Sequence, residues 1–380
     1  MRKPNKPFSV SIMLVQTLLV SYSVMGGGAE RVWITPSLVE ENRFTFHWQS
    51  ETEPPPLLFV GPAFNSLQSV AGTKTGGVIR ATVEGGKPSS SLTYRIGDGP
   101  THTLAPWDPS LVRIVIVGDW HGNAKPGSEA ILRESPHLLL TVGDNVTDLH
   151  QAGREGRRAY ELLIDSSPEL FASIPVLPIS GNHDREVRPR GNEKPDIPTY
   201  DIDAKVFREF FALPESGWRW SLPVPYHPLT LVALDLHHVS DFGTTWQSCQ
   251  SFNADSEQVN WLRSAAMPRR MDFHLFLYNE RNATVRKLAG GAIDEVFRRS
   301  PSAAAVTGFG GFGERAEWEG IPSYNTHIHG KGIDYPDPHR TFSTLGGNYL
   351  LVTHRRGEKQ ITIDIKSTDG EILDTRQIGL

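Results

Sequence analysis

Three short stretches carry side chains able to hold a metal ion or move a proton, and each follows an apolar run. The first is Gly118-Asp119-Trp120-His121-Gly122, after Leu111-Val112-Arg113-Ile114-Val115-Ile116-Val117. The second is Gly143-Asp144-Asn145, after Leu138-Leu139-Leu140-Thr141-Val142. The third is Gly181-Asn182-His183-Asp184, after Ile174-Pro175-Val176-Leu177-Pro178-Ile179. Carboxylate, carboxamide and imidazole form a mixed oxygen and nitrogen donor set, which suits Fe, Mn or Zn better than a soft metal. Asp119 and His121 lie two apart, so an extended backbone would point both the same way. One Gly-Asp or Gly-Asn ending is an ordinary turn. Three in succession, at strand ends where open α/β sheets collect ligands, read as one site.

The elements that must position them follow from periodicity. From Leu111 onward, apolar strand-like runs alternate with helical stretches: a helix over 128–134, another from about Gln151 to Ala172, later helices over 256–266 and 284–299, and strands at 229–236 and 272–278. Such alternation predicts an α/β domain with an at least partly parallel sheet. The tail, with Ile361, Ile363 and Ile365 and a turn at Asp369-Gly370, predicts a closing strand pair. Residues 30–99 read differently: Phe44, Phe46 and Trp48 alternate with polar residues, and Pro and Gly clusters punctuate short strands. They predict a small all-β sandwich, with Trp48 and Tyr94 in its core. Residues 100–110, with Pro106 and Pro109, are expected as a linker to a second domain over 111–380.

At 380 residues the chain has room for both domains, and its net charge of −5 with interspersed signs argues against a nucleic-acid partner. Cys249 is the only cysteine, so no intrachain disulfide and no thiolate cluster can form. Arg2, Lys3 and Lys6 precede an apolar stretch over 8–25, and Gly26-Gly27-Gly28-Ala29 follows. That pattern predicts a signal peptide over 1–29 and export to a bacterial periplasm, envelope or medium. Ser and Gln interrupt the apolar stretch, so no stable membrane span is expected.

The trio Gly-Asp-x-His-Gly, Gly-Asp-Asn and Gly-Asn-His-Asp resembles the calcineurin-like metallophosphoesterases. Phe44-Thr45-Phe46-His47-Trp48 and Leu92-Thr93-Tyr94-Arg95-Ile96-Gly97-Asp98-Gly99 look like the fibronectin-like domain of purple acid phosphatases. The resemblance implies an αββα core of two mixed sheets flanked by helices, behind a β-sandwich. It also implies two metals that share a bridging aspartate and activate water for in-line attack on phosphorus. By that resemblance Asp119 and His121 would bind the first metal, Asp144 would bridge, and Asn182 would bind the second. His183 would contact phosphate and assist departure of the alcohol, supported by Asp184.

The later part of the family's pattern is missing. A ligand histidine is expected after Phe273-His274-Leu275-Phe276-Leu277, where this chain has Tyr278-Asn279-Glu280-Arg281. The family's Gly-His-x-His becomes Gly308-Phe309-Gly310-Gly311, and the tyrosine of its purple branch becomes Thr147. His327 and His329 in Thr326-His327-Ile328-His329-Gly330, and His238 in the Asp235, His237, His238 cluster, are the candidates to compensate. The stretch Gly308-x-Gly310-x-x-Gly313 imitates a dinucleotide motif, yet too few residues follow before Gly320 and Pro322 for the required helix. Two functions remain. One is an exported, metal-dependent phosphate-ester hydrolase with an incomplete dinuclear site, acting on a phosphorylated small molecule or phosphoprotein. The other is an inactive pseudo-phosphatase that binds such a ligand.

Overall fold

The computed structural model describes residues 31–38, 40, 42–84, 90–105, 107–147, 149, 156–186, 201, 203–213, 217–236, 250, 254–264, 272–288, 292–300 and 302–379. The expected signal segment, His237, His238 and Cys249 lie outside them.

Two sheets stack face to face to build the larger domain. One is ordered Val176–Leu177, Leu138–Thr141, Leu111–Val117, Asn348–Arg355, Gln360–Ser367, Ile372–Gly379. Its first three strands run parallel, and Asn348–Arg355 returns antiparallel beside Leu111–Val117. The other is ordered Trp220–Pro223, Leu229–Ala233, Phe273–Tyr278, Ala303–Thr307, Ile321–Asn325, Gly313–Trp318, Arg340–Thr344. Leu229–Ala233, Phe273–Tyr278, Ala303–Thr307 and Ile321–Asn325 are parallel in register.

Side-chain alternation decides the layering. Ile114, Ile116, Leu138 and Leu140 join Leu231, Leu275, Leu277 and Val306 in the core between the sheets. Their neighbours Val115, Val117 and Leu139 point outward, onto Tyr160, Leu163 and Phe171 of the helices Gly156–Ser166 and Pro168–Ser173. Val232 and Phe276 do the same on the far side, packing with Val259, Leu262 and Phe297. Strands covered on both faces explain the near-continuous apolar runs in the sequence. This is the expected αββα arrangement.

The front region is all-β, with two four-stranded antiparallel sheets. Trp48 and Tyr94 are fully buried, and Phe46 packs edge-on to Tyr94. Trp33 faces the other way and stacks on Phe210 of the helix Lys205–Phe211, ring centroids 4.4 Å apart. Tyr94 donates a hydrogen bond to the Ala172 carbonyl at 2.6 Å, which ties the two parts together.

Some expectations need correcting. His102–Leu104, assigned to the linker, is a strand paired with Leu92–Ile96. Leu104 is buried, so the paired strands of the front region continue past residue 99. The single helix expected up to Ala172 divides at Ser167, because Pro168 supplies no N–H to continue the preceding turn. The stretch expected as a helix over 284–299 forms two, Asn282–Leu288 and Ala292–Arg299.

Candidate metal centre

The carboxyl ends of both parallel sets open on the same side, and glycines let them touch. A Cβ built on Gly118 would lie 2.2 Å from the Thr326 carbonyl oxygen and 2.7 Å from Gly308 Cα, so only glycine permits the approach. The Ile328 N–H then donates to the Gly118 carbonyl at 3.1 Å. Within the first sheet, the His121 N–H donates to the Asp144 carbonyl at 3.0 Å and the Gly122 N–H to the Asn145 carbonyl at 2.9 Å. Asp119, His121 and Asp144 all adopt left-handed backbone, with φ of 54°, 46° and 52°. Non-glycine residues hold that conformation at a cost, and where such residues cluster the surroundings are over-determining them for a purpose.

Asp119 and Asp144 are buried beside one another. Burial, followed by the charges of Asp144 and Asp184, pushes the Asp119 carboxyl well above the usual carboxylate range. His327 Nε2 lies 3.2 Å from Asp119 Oδ2. One donor atom each from Asp119, His121 and His327 fall within 4.8 Å of one another, near enough to share an ion. The His121 ring also sits 5.1 Å from the His183 ring and 5.9 Å from that of His327, centroid to centroid.

Hydrogen bonds fix which nitrogen of each ring carries the proton. His327 Nδ1 accepts from the backbone N–H groups of His329 and Gly330, at 3.2 and 3.0 Å. The neutral ring must therefore keep its proton on Nε2, facing Asp119. Burial, then His121 and His329, lowers the His327 pKa to about 3, so neutral is its state. Proximity alone admits His327 as a ligand; in this tautomer a protonated Nε2, not a lone pair, faces Asp119 at 3.2 Å. His183 is held the opposite way, with Nδ1–H on the Thr147 carbonyl, which makes Nε2 its lone-pair nitrogen. His329 donates Nε2–H to the Trp120 carbonyl at 2.8 Å.

Asp184 is fully buried and serves its own loop. Its Oδ2 accepts from the Gly181 N–H at 2.8 Å and from Asn145, and its Oδ1 accepts from Tyr160. Burial and Asp144 raise its pKa to about 6 despite those donors. The His183 N–H in turn donates to Asp144 Oδ1 at 3.2 Å, so this turn aims at the carboxylate. Asn182 begins the same turn.

The residues present fit a cation. Asp119 Oδ1 is buried without a hydrogen-bond partner, and Asp144 lies alongside. Burial lowers the pKa of His121, which leaves neutral imidazole in front of the carboxylates. Carboxylate oxygens and uncharged nitrogens around an unsatisfied atom are what a divalent ion requires.

Two site residues were not singled out from the sequence. Asn279, at the end of Phe273–Tyr278, is wholly buried and donates Nδ2 to the carbonyls of Val142 (2.9 Å) and Gly308 (2.6 Å). It clips together three strand ends where the family expects a histidine. Asn325 likewise grips the loop that follows Thr307, taking the Phe309 N–H at 2.9 Å and donating to the Phe309 and Phe312 carbonyls. An Asn directly after or ending a parallel strand was the available signal. Asp235, considered for the cleft, is instead fully buried against Arg185, 2.8 Å away. After Gly308 the chain enters the strand Gly313–Trp318 rather than a helix, which disposes of the dinucleotide motif.

The calcineurin-like phosphoesterase family matches residues 112–289. Among solved structures, a purple acid phosphatase from yellow lupin (Lupinus luteus) seeds is similar over 93% of this chain and 75% of its own, with TM-score 0.69 and 13% identity. A PhoD structure is similar over 91% of this chain and 88% of its own, with TM-score 0.64 and 11% identity. At such identities the likeness is one of fold. No curated protein sequence matches the chain. Residues 112–289 thus match the calcineurin-like phosphoesterase model, and the fold of the chain, with its all-β region in front, is similar to that of a purple acid phosphatase.

Proposed function

We propose that this protein is an exported hydrolase of phosphate esters that works with one firmly held divalent or trivalent ion, Fe, Mn or Zn. Asp119, His121 and Asp144 would hold it, and Asn182 borders the place where a second would sit. The buried, unpartnered Asp119 Oδ1 is the observation that carries the reading. When bound, such an ion supplies Lewis acidity and charge neutralisation at the phosphoryl oxygens. The chain's own residues do the rest. His327 holds Asp119 in orientation through its Nε2–H. The Thr147 carbonyl holds Nδ1–H of the His183 ring, so Nε2 is the atom that takes up a proton from solvent and gives it to the departing alkoxide. Asp184 keeps the loop bearing Asn182 and His183 in place. A phosphorylated small molecule or phosphoprotein is the partner this chemistry selects. The N-terminal pattern supports export, and among the described residues no helix is long and apolar enough to cross a membrane.

Metal content and hydrolysis of an aryl phosphate, compared between the protein and Asp144→Ala, test the reading. Both should fall in the variant; equal activity and equal metal content in the two would refute it. The pseudo-phosphatase reading keeps one argument, that Phe309 and Gly311 place no donor where the family has histidines. It predicts phosphate binding without turnover.

A further inference from the structure

We propose that His227 and His354 form a buried single-proton catch at the end of the double sheet remote from the metal centre, and that acid opens it. His227 lies in the turn between the strands Trp220–Pro223 and Leu229–Ala233 of the second sheet. His354 lies on Asn348–Arg355 of the first sheet, opposite Val112 near the start of Leu111–Val117, whereas Asp119 follows that strand's end. Both rings are buried, their Nδ1 atoms stand 2.7 Å apart, and they meet edge-on at 89°. His227 Nε2 lies 2.9 Å from the Asp108 carbonyl oxygen, and His354 Nε2 lies 3.2 Å from that of Glu358. The pair thus fastens the segment before Leu111 and the turn after Arg355 to the second sheet.

Counting protons shows what the pair can hold. A carbonyl only accepts, so each Nε2 contact requires an N–H, and the contact between the rings requires one more. Three bonds need three protons, and two neutral imidazoles carry two. One further proton completes the set. Another would set N–H against N–H across 2.7 Å, so the closed pair holds no more than one extra proton. Opened to water, two independent imidazoles with pKa near about 6.5 take up two. Well below that value the open state binds at least one proton more than the closed one, so its population rises about 10-fold or more per pH unit. Burial lowers the His227 pKa, the Asp108 carbonyl and carboxylate oppose this, and His354 and Arg356 reinforce it. His137, beside Arg113, faces His227 from the residue before Leu138–Thr141 and disfavours the charge as well. With its folded pKa below the unfolded one, the catch is closed above about pH 6.5 and is lost as pH falls.

Hydrogen exchange followed by mass spectrometry on the full protein tests this, with rates corrected for the intrinsic effect of pH. Both proteins compared carry His137→Asn, which removes the neighbouring titration. With His227 intact, exchange of the amides in 107–111 and 354–358 should speed up about 10-fold per pH unit below about pH 6, relative to the strand Leu92–Ile96. His227→Gln keeps a donor for the Asp108 carbonyl and an acceptor for His354 Nδ1–H but takes up no proton. Its rise should fall to about 2-fold per pH unit or less. Equal pH dependence in the two proteins, or none in either, overturns the catch. Should His227→Gln fail to fold, the ring-nitrogen spectrum of histidine-labelled protein with His227 intact decides. No more than three of the four ring nitrogens of His227 and His354 should carry protons in the folded protein. Protons on all four, with the fold intact, overturn it.

Discussion

Asp119 Oδ2 and His327 Nε2 lie 3.2 Å apart, although one follows a strand of the first sheet and the other a strand of the second. With two backbone N–H groups on its Nδ1, His327 turns a protonated Nε2 to Asp119, and in the proposed metal centre it would act on the ion through that carboxylate. Residues that orient a ligand change metal affinity by roughly 10–100-fold. His327→Gln should therefore weaken metal binding by that factor, measured by competition with a chelator, whereas Asp119→Ala should abolish it. Equal and complete loss in the two variants would make the imidazole a direct ligand.

Asn279 replaces a metal ligand with a clip. Asn279→Ala would leave the buried Val142 and Gly308 carbonyls without their donor, at a cost of about 1–3 kcal/mol each. Urea unfolding should show a loss of at least about 2 kcal/mol. A loss below about 0.5 kcal/mol would mean that water replaces the amide and the clip is dispensable.

Histidines cannot simply be put back. Gly311 has φ of +84°, and a Cβ there would fall 2.4 Å from Gly332 Cα. The φ is left-handed and the atom met is backbone that cannot give way, so Gly311→His should destabilise the protein by about 3 kcal/mol or more. Phe309 already carries a side chain, and Phe309→His should fold with near-native stability. Thermal melting of the two variants decides this; equal melting temperatures would contradict it.

His137 sets an acid limit on stability. It is buried, and its Nδ1 accepts the Arg113 N–H at 3.0 Å. Burial, then the Arg113 charge, lowers its pKa to about 4 from 6.5. The unfolded chain takes up the proton first, so the contribution is complete above about pH 6.5 and is lost as pH falls toward about 4. Between about pH 7.5 and about pH 5 this amounts to about 2 kcal/mol. His137→Asn keeps an acceptor for Arg113 but does not titrate. Its unfolding free energy should fall less over that interval than the wild type's; identical slopes would exclude His137 as the cause.

Much of the site was legible because its signals are local. A strand that ends in glycine and then a donor residue announces itself within a handful of positions. Asp119, His121, Asp144 and the turn at Asn182 come from three successive strands of one sheet, so finding the strands places the donors on one edge. Period-two alternation made the front region all-β and the later domain layered for the same local reason.

The second sheet's contribution depended on which glycines touch. Gly118 meets Gly308 and the Thr326 carbonyl, which brings His327 to Asp119, and nothing in the spacing of these residues encodes that contact. Tautomers were equally out of reach, since the proton on His327 is decided by backbone N–H groups that converge only after the turn at Gly330 has formed. Sequence alone determined which donors exist and which strands end in them. Packing of one sheet on the other decided which of them meet, and which nitrogen faces the carboxylate.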